Sequence, residues 1–202
     1  SILLFSPYSL EIQKYQKNLL VPFGEHVPFV EYLPILGKLI KWQVGISSWN
    51  VGKEQNLFDL NVLKIGGIIC IESIYPDYVA NFVNKGADLI SIVTNDSWYG
   101  YSSGPFQHKE ISVLRAVENR RSVVRAANGG ISCIIDPFGR TISQTRLFEK
   151  TVLVDQVPIY YEKTFYSKFP LLIPYFVVII TLLTIVIYLI KHFRKKILKK
   201  ND

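Results

Sequence analysis

From residue 169 to residue 190 the chain carries 22 residues without a single charge, almost all of them apolar. No other feature narrows the possible folds as far. At the helical rise this run spans about 33 Å, against a bilayer core of about 30 Å. A core helix of a water-soluble domain is the competing reading, but 22 uncharged residues is long for one. Pro170 and Pro174 fall in the first turns, where proline is tolerated. Tyr166, Tyr175 and Tyr188 mark the two ends, as an interfacial aromatic belt does. Residues 169–190 are therefore predicted to form a transmembrane helix.

The charge distribution supports this. The net charge of the whole chain is +7, yet residues 191–202 hold six lysines and arginines against Asp202 alone, a net of +5. The preceding 190 residues are left nearly balanced at +2. A basic tail directly after an apolar span points to a membrane surface rather than nucleic acid. By the positive-inside rule it places the C-terminus in the cytoplasm and residues 1–168 outside it, in the periplasm of a two-membrane cell. The chain has no Met and begins inside an apolar run, so it reads as a fragment of a longer protein.

Residues 1–168 alternate short β-branched runs with helical patterns, the signature of an α/β layered domain. Strands are expected at residues 1–5, 57–63, 65–71, 88–94, 122–126, 130–135 and 151–157. Helices are expected at 76–85, opened by Pro76 and closed by Gly86, and at 106–121. Residues 14–28 are too irregular for a helix and too rich in proline for a central strand, so they read as a loop. Residues 29–49 are aromatic and apolar, fit for a lid, a lipid-interface segment or an amphipathic core helix.

The reactive candidate lies in residues 64–76. An apolar run interrupted by Gly66 and Gly67 ends at Cys70, ahead of the helix at 76–85. A thiol between a strand and a helix N-terminus meets the partial positive charge of unpaired amides. Two plainer fates remain open: a small buried hydrophobe, or a disulfide with Cys133 in an oxidising compartment. Cys133, inside its own apolar strand, is expected in the core. The loop at 95–100, with Asn95, Asp96, Trp98 and Tyr99, follows a strand end, where α/β sheets collect ligands. His26 and His108 leave a Cys–His protease pairing open by spacing alone. No metal cluster, phosphate loop or dinucleotide fingerprint occurs, so no cofactor is predicted.

Read together, these motifs resemble the apolipoprotein N-acyltransferases, membrane enzymes of the nitrilase (carbon-nitrogen hydrolase) superfamily. One carrier is Lys17, Leu20, Val21, Pro22, Phe23, Gly24, Glu25, Val27 and Pro28. Others are the cysteine strand from Gly67 to Glu72 and the loop with Asn95, Asp96 and Trp98. Gln107, His108, Arg115, Ala116, Glu118, Arg125 and the stretch from Asn128 to Ser132 extend the match, as does the apolar span with its basic tail. The resemblance implies a nitrilase-like α-β-β-α sandwich, incomplete at its N-terminus, followed by one transmembrane helix.

It also implies a Glu–Lys–Cys triad that N-acylates the α-amino group of a diacylglyceryl-cysteine in an apolipoprotein. The acyl group would come from a phospholipid and pass through a thioester on Cys70. Lys17 would stabilise the oxyanion, Glu25 and Glu72 would support the nucleophile, and Asn95, Trp98 and Tyr99 would line the substrate side. The chain departs from the family at Ile71, where tyrosine is common. It also has no counterpart of the general-base glutamate, since Glu11 alone precedes Lys17 and is too close. Residues 1–202 by themselves are therefore expected to be inactive. A nitrilase-like amidase and a membrane-anchored, non-catalytic relic are the alternative functions.

Overall fold

The computed structural model describes residues 1–7, 10–22, 24, 25 and 50–198, with side chains to His192. His26 and the aromatic segment 29–49 lie outside the described residues. The chain forms two compact units, Ser1–Lys168 and Phe169–Asp202.

The first unit is built on a six-stranded mixed sheet in the simple order β3 (Leu57–Asp59), β4 (Lys64–Ile69), β5 (Leu89–Asn95), β6 (Ser122–Asn128), β7 (Cys133–Ile135), β8 (Thr141–Gln144). Its parallel centre is β4–β5–β6, joined by two helical crossovers: α1 (Pro76–Asn84) and α2 (Gly104–Asn119). The outer pairs β3–β4, β6–β7 and β7–β8 are antiparallel. This is the layered α/β arrangement expected from the sequence. β5, the middle parallel strand, reads almost continuously apolar because it is covered on both faces.

The core joins Ile68, Ile90, Ile92 and Val123 of the sheet to Val79, Phe82 and Val83 of α1 and Ala116 of α2. Gly67 lets the opposite face close: a Cβ there would sit 2.6 Å from Phe58 Cε2 and 3.1 Å from Ile2 Cδ1. Ile2 and Leu4 belong to β1 (Ile2–Phe5), which pairs antiparallel with β2 (Ile12–Tyr15) in a separate two-stranded sheet. β2 corrects the loop reading of residues 14–28. Its last two residues, Lys14 and Tyr15, precede the proline-broken stretch, and Tyr15 is fully buried. Gln13 stitches β2 to β3 through both ends of its side-chain amide, Nε2 donating to Asp59 O at 2.8 Å and Oε1 accepting from Asp59 N at 2.7 Å.

Two further strand expectations need correction. Residues 151–157 form no strand, and Val152 and Val154 are 82% and 90% exposed. β-Branched residues favour a strand only where a partner edge and a covered face exist. The edge beside β7 is occupied instead by β8, a polar strand whose Thr141, Ser143 and Gln144 gave no apolar signal. The expected strand at 130–135 shortens to β7, because Gly130 lies against Asp96 rather than in the ladder.

After β8 the chain reaches a short helix, α3 (Phe165–Lys168), pinned to α1 and α2 by Asn84 Nδ2 donating to Ser167 O at 2.6 Å and Ser167 Oγ donating to Asn119 Oδ1 at 3.0 Å. The second unit is one long helix, α4 (Leu172–Leu198). Leu172–His192 is long and apolar enough to cross a membrane. The helix starts past Pro170, a little later than the apolar run itself. Thr181 and Thr184 return their hydroxyls to the carbonyls of Val177 and Ile180 at 2.8 Å, so neither adds an open polar group to this apolar surface.

Candidate active site

The three parallel strands β4, β5 and β6 end side by side, with Ile69 paired to Val93 and Asn95 to Asn128. Cys70 is the first residue beyond β4. Its φ is +53°, a left-handed conformation that a non-glycine residue holds at a cost of about 1–3 kcal/mol. Such strain persists only where the surroundings over-determine it. Cys70 opens a 3₁₀ turn, Cys70–Ile74, and is half-buried. α1 begins at Pro76, as expected, and the 3₁₀ turn separates the thiol from that helix's N-terminus. The turn places Cys70 at the carboxyl end of the parallel strands.

Two residues on, Glu72 is fully buried and accepts from four directions. Asn18 N and Leu19 N reach Oε1 at 2.6 and 3.2 Å, while Ile69 N and Tyr15 Oη reach Oε2, each at 2.8 Å. All four donors are neutral. Burial, followed by the Glu72 carboxylate, pushes the Tyr15 hydroxyl far above its ordinary value, which keeps it a donor. Tyr78 Oη lies 2.7 Å from Tyr15 Oη and extends the network. Glu72 thus fastens the loop after β2 to the residue just before Cys70.

That loop carries Lys17, whose ammonium is held in a fork by Glu25, Nζ donating to Oε1 at 2.8 Å and to Oε2 at 2.5 Å. Glu25 Oε2 also accepts from Val21 N at 2.9 Å, and Lys17 O accepts from Gly52 N at 2.8 Å. The lysine side chain is 12% exposed and the glutamate 32%. Lys17 is therefore a nearly buried cation with its position fixed, one residue from the backbone that Glu72 grips.

The other expected residues divide. Asn95 is committed to its own turn: its Oδ1 accepts from Ser97 Oγ at 2.6 Å, Ser97 N at 3.2 Å and Asn128 Nδ2 at 3.1 Å. Trp98 is 72% exposed. The Tyr99 hydroxyl is pushed up by burial and then by the Cys70 sulfur, and its ring meets the His108 ring edge-on at 6.4 Å.

The disulfide alternative falls, and so does the Cys–His pairing through His108; His26 lies outside the described residues. His108 is not a free base for Cys70: Nε2 lies 3.0 Å from Ser73 Oγ and Nδ1 2.9 Å from Asp96 Oδ1, so both ring nitrogens are taken. A disulfide is absent, both cysteines being free. Cys133 pairs with Arg125 in register on β7, three strands from β4, about 14 Å at normal strand spacing. It is buried as expected, and burial pushes its thiol up to about 11.

What sequence reasoning missed is how polar the ground beneath the turn is. Asp96 and Ser73 are wholly buried, and His108 and Arg125 nearly so. Asp96 bridges His108 to Arg125 Nη2, and Arg125 also donates to Ile131 O at 3.2 Å and Ser112 Oγ at 3.3 Å. Burial alone would raise the Asp96 carboxyl. The His108 hydrogen bond and the Arg125 charge outweigh it and hold Asp96 below the usual carboxylate range. The available signal was a set of charged residues interrupting otherwise apolar strand and helix faces.

A strained cysteine thus lies at the carboxyl end of the parallel strands, and a clamped lysine lies on the loop that Glu72 ties to the residue before it. The carbon-nitrogen hydrolase family model matches residues 1–163, and the chain belongs to that family. It is similar to apolipoprotein N-acyltransferases from Chlorobaculum tepidum (42% identical, covering 86% of this chain and 33% of the relative) and Geobacter metallireducens (40%, covering 84% and 32%). The similarity to that of Rickettsia bellii is 45%, covering 84% and 34%. The chain spans about a third of the length of these curated relatives. Among solved structures, Saccharomyces cerevisiae Nit3, a member of the nitrilase superfamily, aligns with a TM-score of 0.43 and 20% identity over 51% of this chain and 41% of that one.

Proposed function

We propose that Cys70 is the nucleophile of a phospholipid-dependent N-acyltransferase that completes the N-terminus of lipoproteins. The observation that carries this reading is the junction at Glu72. One buried carboxylate joins the strained Cys70 turn to the loop on which Glu25 fixes the Lys17 ammonium. The names of the similar proteins and the apolar helix α4 support a lipid substrate.

In the first half-reaction the Cys70 thiolate attacks the ester carbonyl of a phospholipid. A C–S bond forms, the C–O bond breaks, and the lysophospholipid leaves with a proton. In the second, the free α-amino group of a diacylglyceryl-cysteine attacks the thioester, giving an amide and restoring the thiol. Lys17 stabilises the oxyanion of both tetrahedral intermediates, a fixed cation aimed at charge that develops only in the transition state. Glu25 holds Lys17, and Glu72 holds the loop and turn together. Tyr99 and Trp98 flank the acyl entrance, with Asn95 keeping their loop in shape. A glutamate takes the thiol proton in this family, and residues 1–202 offer it no counterpart at the family's spacing.

Residues 1–168 are the C-terminal part of an extracytoplasmic nitrilase-like domain, residues 169–190 cross the inner membrane of a bacterial cell, and the basic residues 191–202 lie in the cytoplasm. The partners are then a phospholipid donor, a diacylglyceryl apolipoprotein acceptor and the bilayer, with no nucleic acid. The test is transfer of a labelled acyl chain from phospholipid to a diacylglyceryl-cysteine peptide by protein purified from its membrane. Label on the peptide amine, lost in Cys70→Ala and Lys17→Ala, is expected. Hydrolysis of small amides without transfer would favour the amidase instead.

A further inference from the structure

The turn that carries Cys70 is held by a second network that the acyl-transfer chemistry leaves unused. Ser73 Oγ lies 2.9 Å from Cys70 O, the carbonyl of the strained residue itself, and 3.0 Å from His108 Nε2. His108 Nδ1 faces Asp96 Oδ1 at 2.9 Å, and Thr94 Oγ1 donates to the same oxygen at 2.9 Å. The remaining Asp96 oxygen is ion-paired with Arg125. Around the imidazole, Tyr99 supplies a ring edge at 6.4 Å, and Ser112 Oγ donates to His108 O at 3.3 Å.

The proton count makes this more than a contact chain. Asp96 is an acceptor here, so His108 Nδ1 must carry hydrogen. Ser73 has one hydroxyl proton. It can go to Cys70 O or to His108 Nε2, not to both. The two contacts of Ser73 coexist only when Nε2 donates to the serine oxygen and frees its proton for the Cys70 carbonyl. When Nε2 carries no hydrogen, the hydroxyl turns toward it and Cys70 O loses its partner.

We propose that Ser73, His108 and Asp96 form a positioning relay for the nucleophile: His108, oriented by Asp96, directs the Ser73 hydroxyl onto the Cys70 carbonyl and so holds the left-handed turn that presents the thiol. The relay rests on the reading of Cys70 as a nucleophile. None of its members touches the reacting atoms.

The experiment is the rate of Cys70 alkylation by iodoacetamide in the full-length protein purified in detergent, followed by mass spectrometry. Buried Cys133 is the internal control. Ser73→Ala and His108→Gln are each expected to slow labelling of Cys70 about tenfold, the size of one hydrogen bond lost. The double variant should be no slower than either single one, because members of one unit are not additive. Cys133 should stay unlabelled throughout. If His108→Gln does not fold, Ser73→Ala alone decides, since it removes one oxygen and fills no space. A wild-type labelling rate in Ser73→Ala, or effects that multiply in the double variant, would overturn the relay. A wild-type Cys70 that reacts no faster than a cysteine in a short peptide would instead remove the nucleophile, and the relay with it.

Discussion

Glu72 and Glu25 both hold the loop after β2 and are built in opposite ways. Glu72 is sealed from water and surrounded by neutral donors, two of them from one loop and one from the strand end beside Cys70. Glu25 is a third exposed and turns both oxygens to one cation, with a single backbone amide, Val21 N, besides. A carboxylate that binds backbone amides fixes where segments lie. A carboxylate that binds an ammonium fixes where a charge lies. The first role is paid in stability, the second in rate, and the two should separate under substitution.

The largest effect is expected at a third carboxylate that combines both roles. Asp96→Ala strands Arg125 without its partner in a dry core and should cost about 3–5 kcal/mol in urea unfolding. Its pH dependence has a definite sign. The folded Asp96 carboxyl lies below its ordinary value of 3.8, so near pH 4 the unfolded chain binds more protons than the folded one. The Asp96 contribution is then fully present above about pH 4 and fades as the pH falls through the lower, folded value. The variant should lack that acid limb; an unchanged acid limb would mean that other carboxylates carry it.

Next comes Glu25→Gln. Acyl transfer should fall about a hundredfold, since Lys17 loses the fork that aims it. The midpoint of unfolding should barely move, because partly exposed ion pairs contribute less than about 1 kcal/mol. Glu72→Gln should reverse that pattern. An amide nitrogen would replace one acceptor and face donors already in place, costing about 1–3 kcal/mol by thermal or urea melts. If both variants lost rate and stability in equal proportion, the division between the two glutamates would be wrong. The smallest effect on stability is at Cys70: Cys70→Gly should raise it by up to about 1 kcal/mol through relief of the positive φ, while transfer is lost with the thiol.

Much of this arrangement was legible in the sequence. The parallel centre β4–β5–β6 and its crossovers follow from apolar runs and from the Pro76 and Gly86 punctuation around α1. Cys70 and the Lys17–Glu25 pair follow from motifs, and the structure brings the latter two together. Local pattern failed where partners decide the outcome. β8 is polar yet pairs with an apolar edge, while the apolar run at 151–157 finds no edge and forms no strand. The left-handed φ of Cys70 has no signal in residue type. His108 was visible as a conceivable base and as one residue of the family match. Its burial between Ser73 and Asp96 depends on three segments meeting, which no single stretch encodes.

The most direct test is the intact mass of the protein extracted from its own membrane, measured before and after hydroxylamine. An acyl-sized adduct on Cys70 that hydroxylamine removes, and that is missing in Cys70→Ala, is the expected result for a thioester-forming acyltransferase. Cys70 found bare in protein that still transfers acyl chains, or an adduct that resists hydroxylamine, would contradict it.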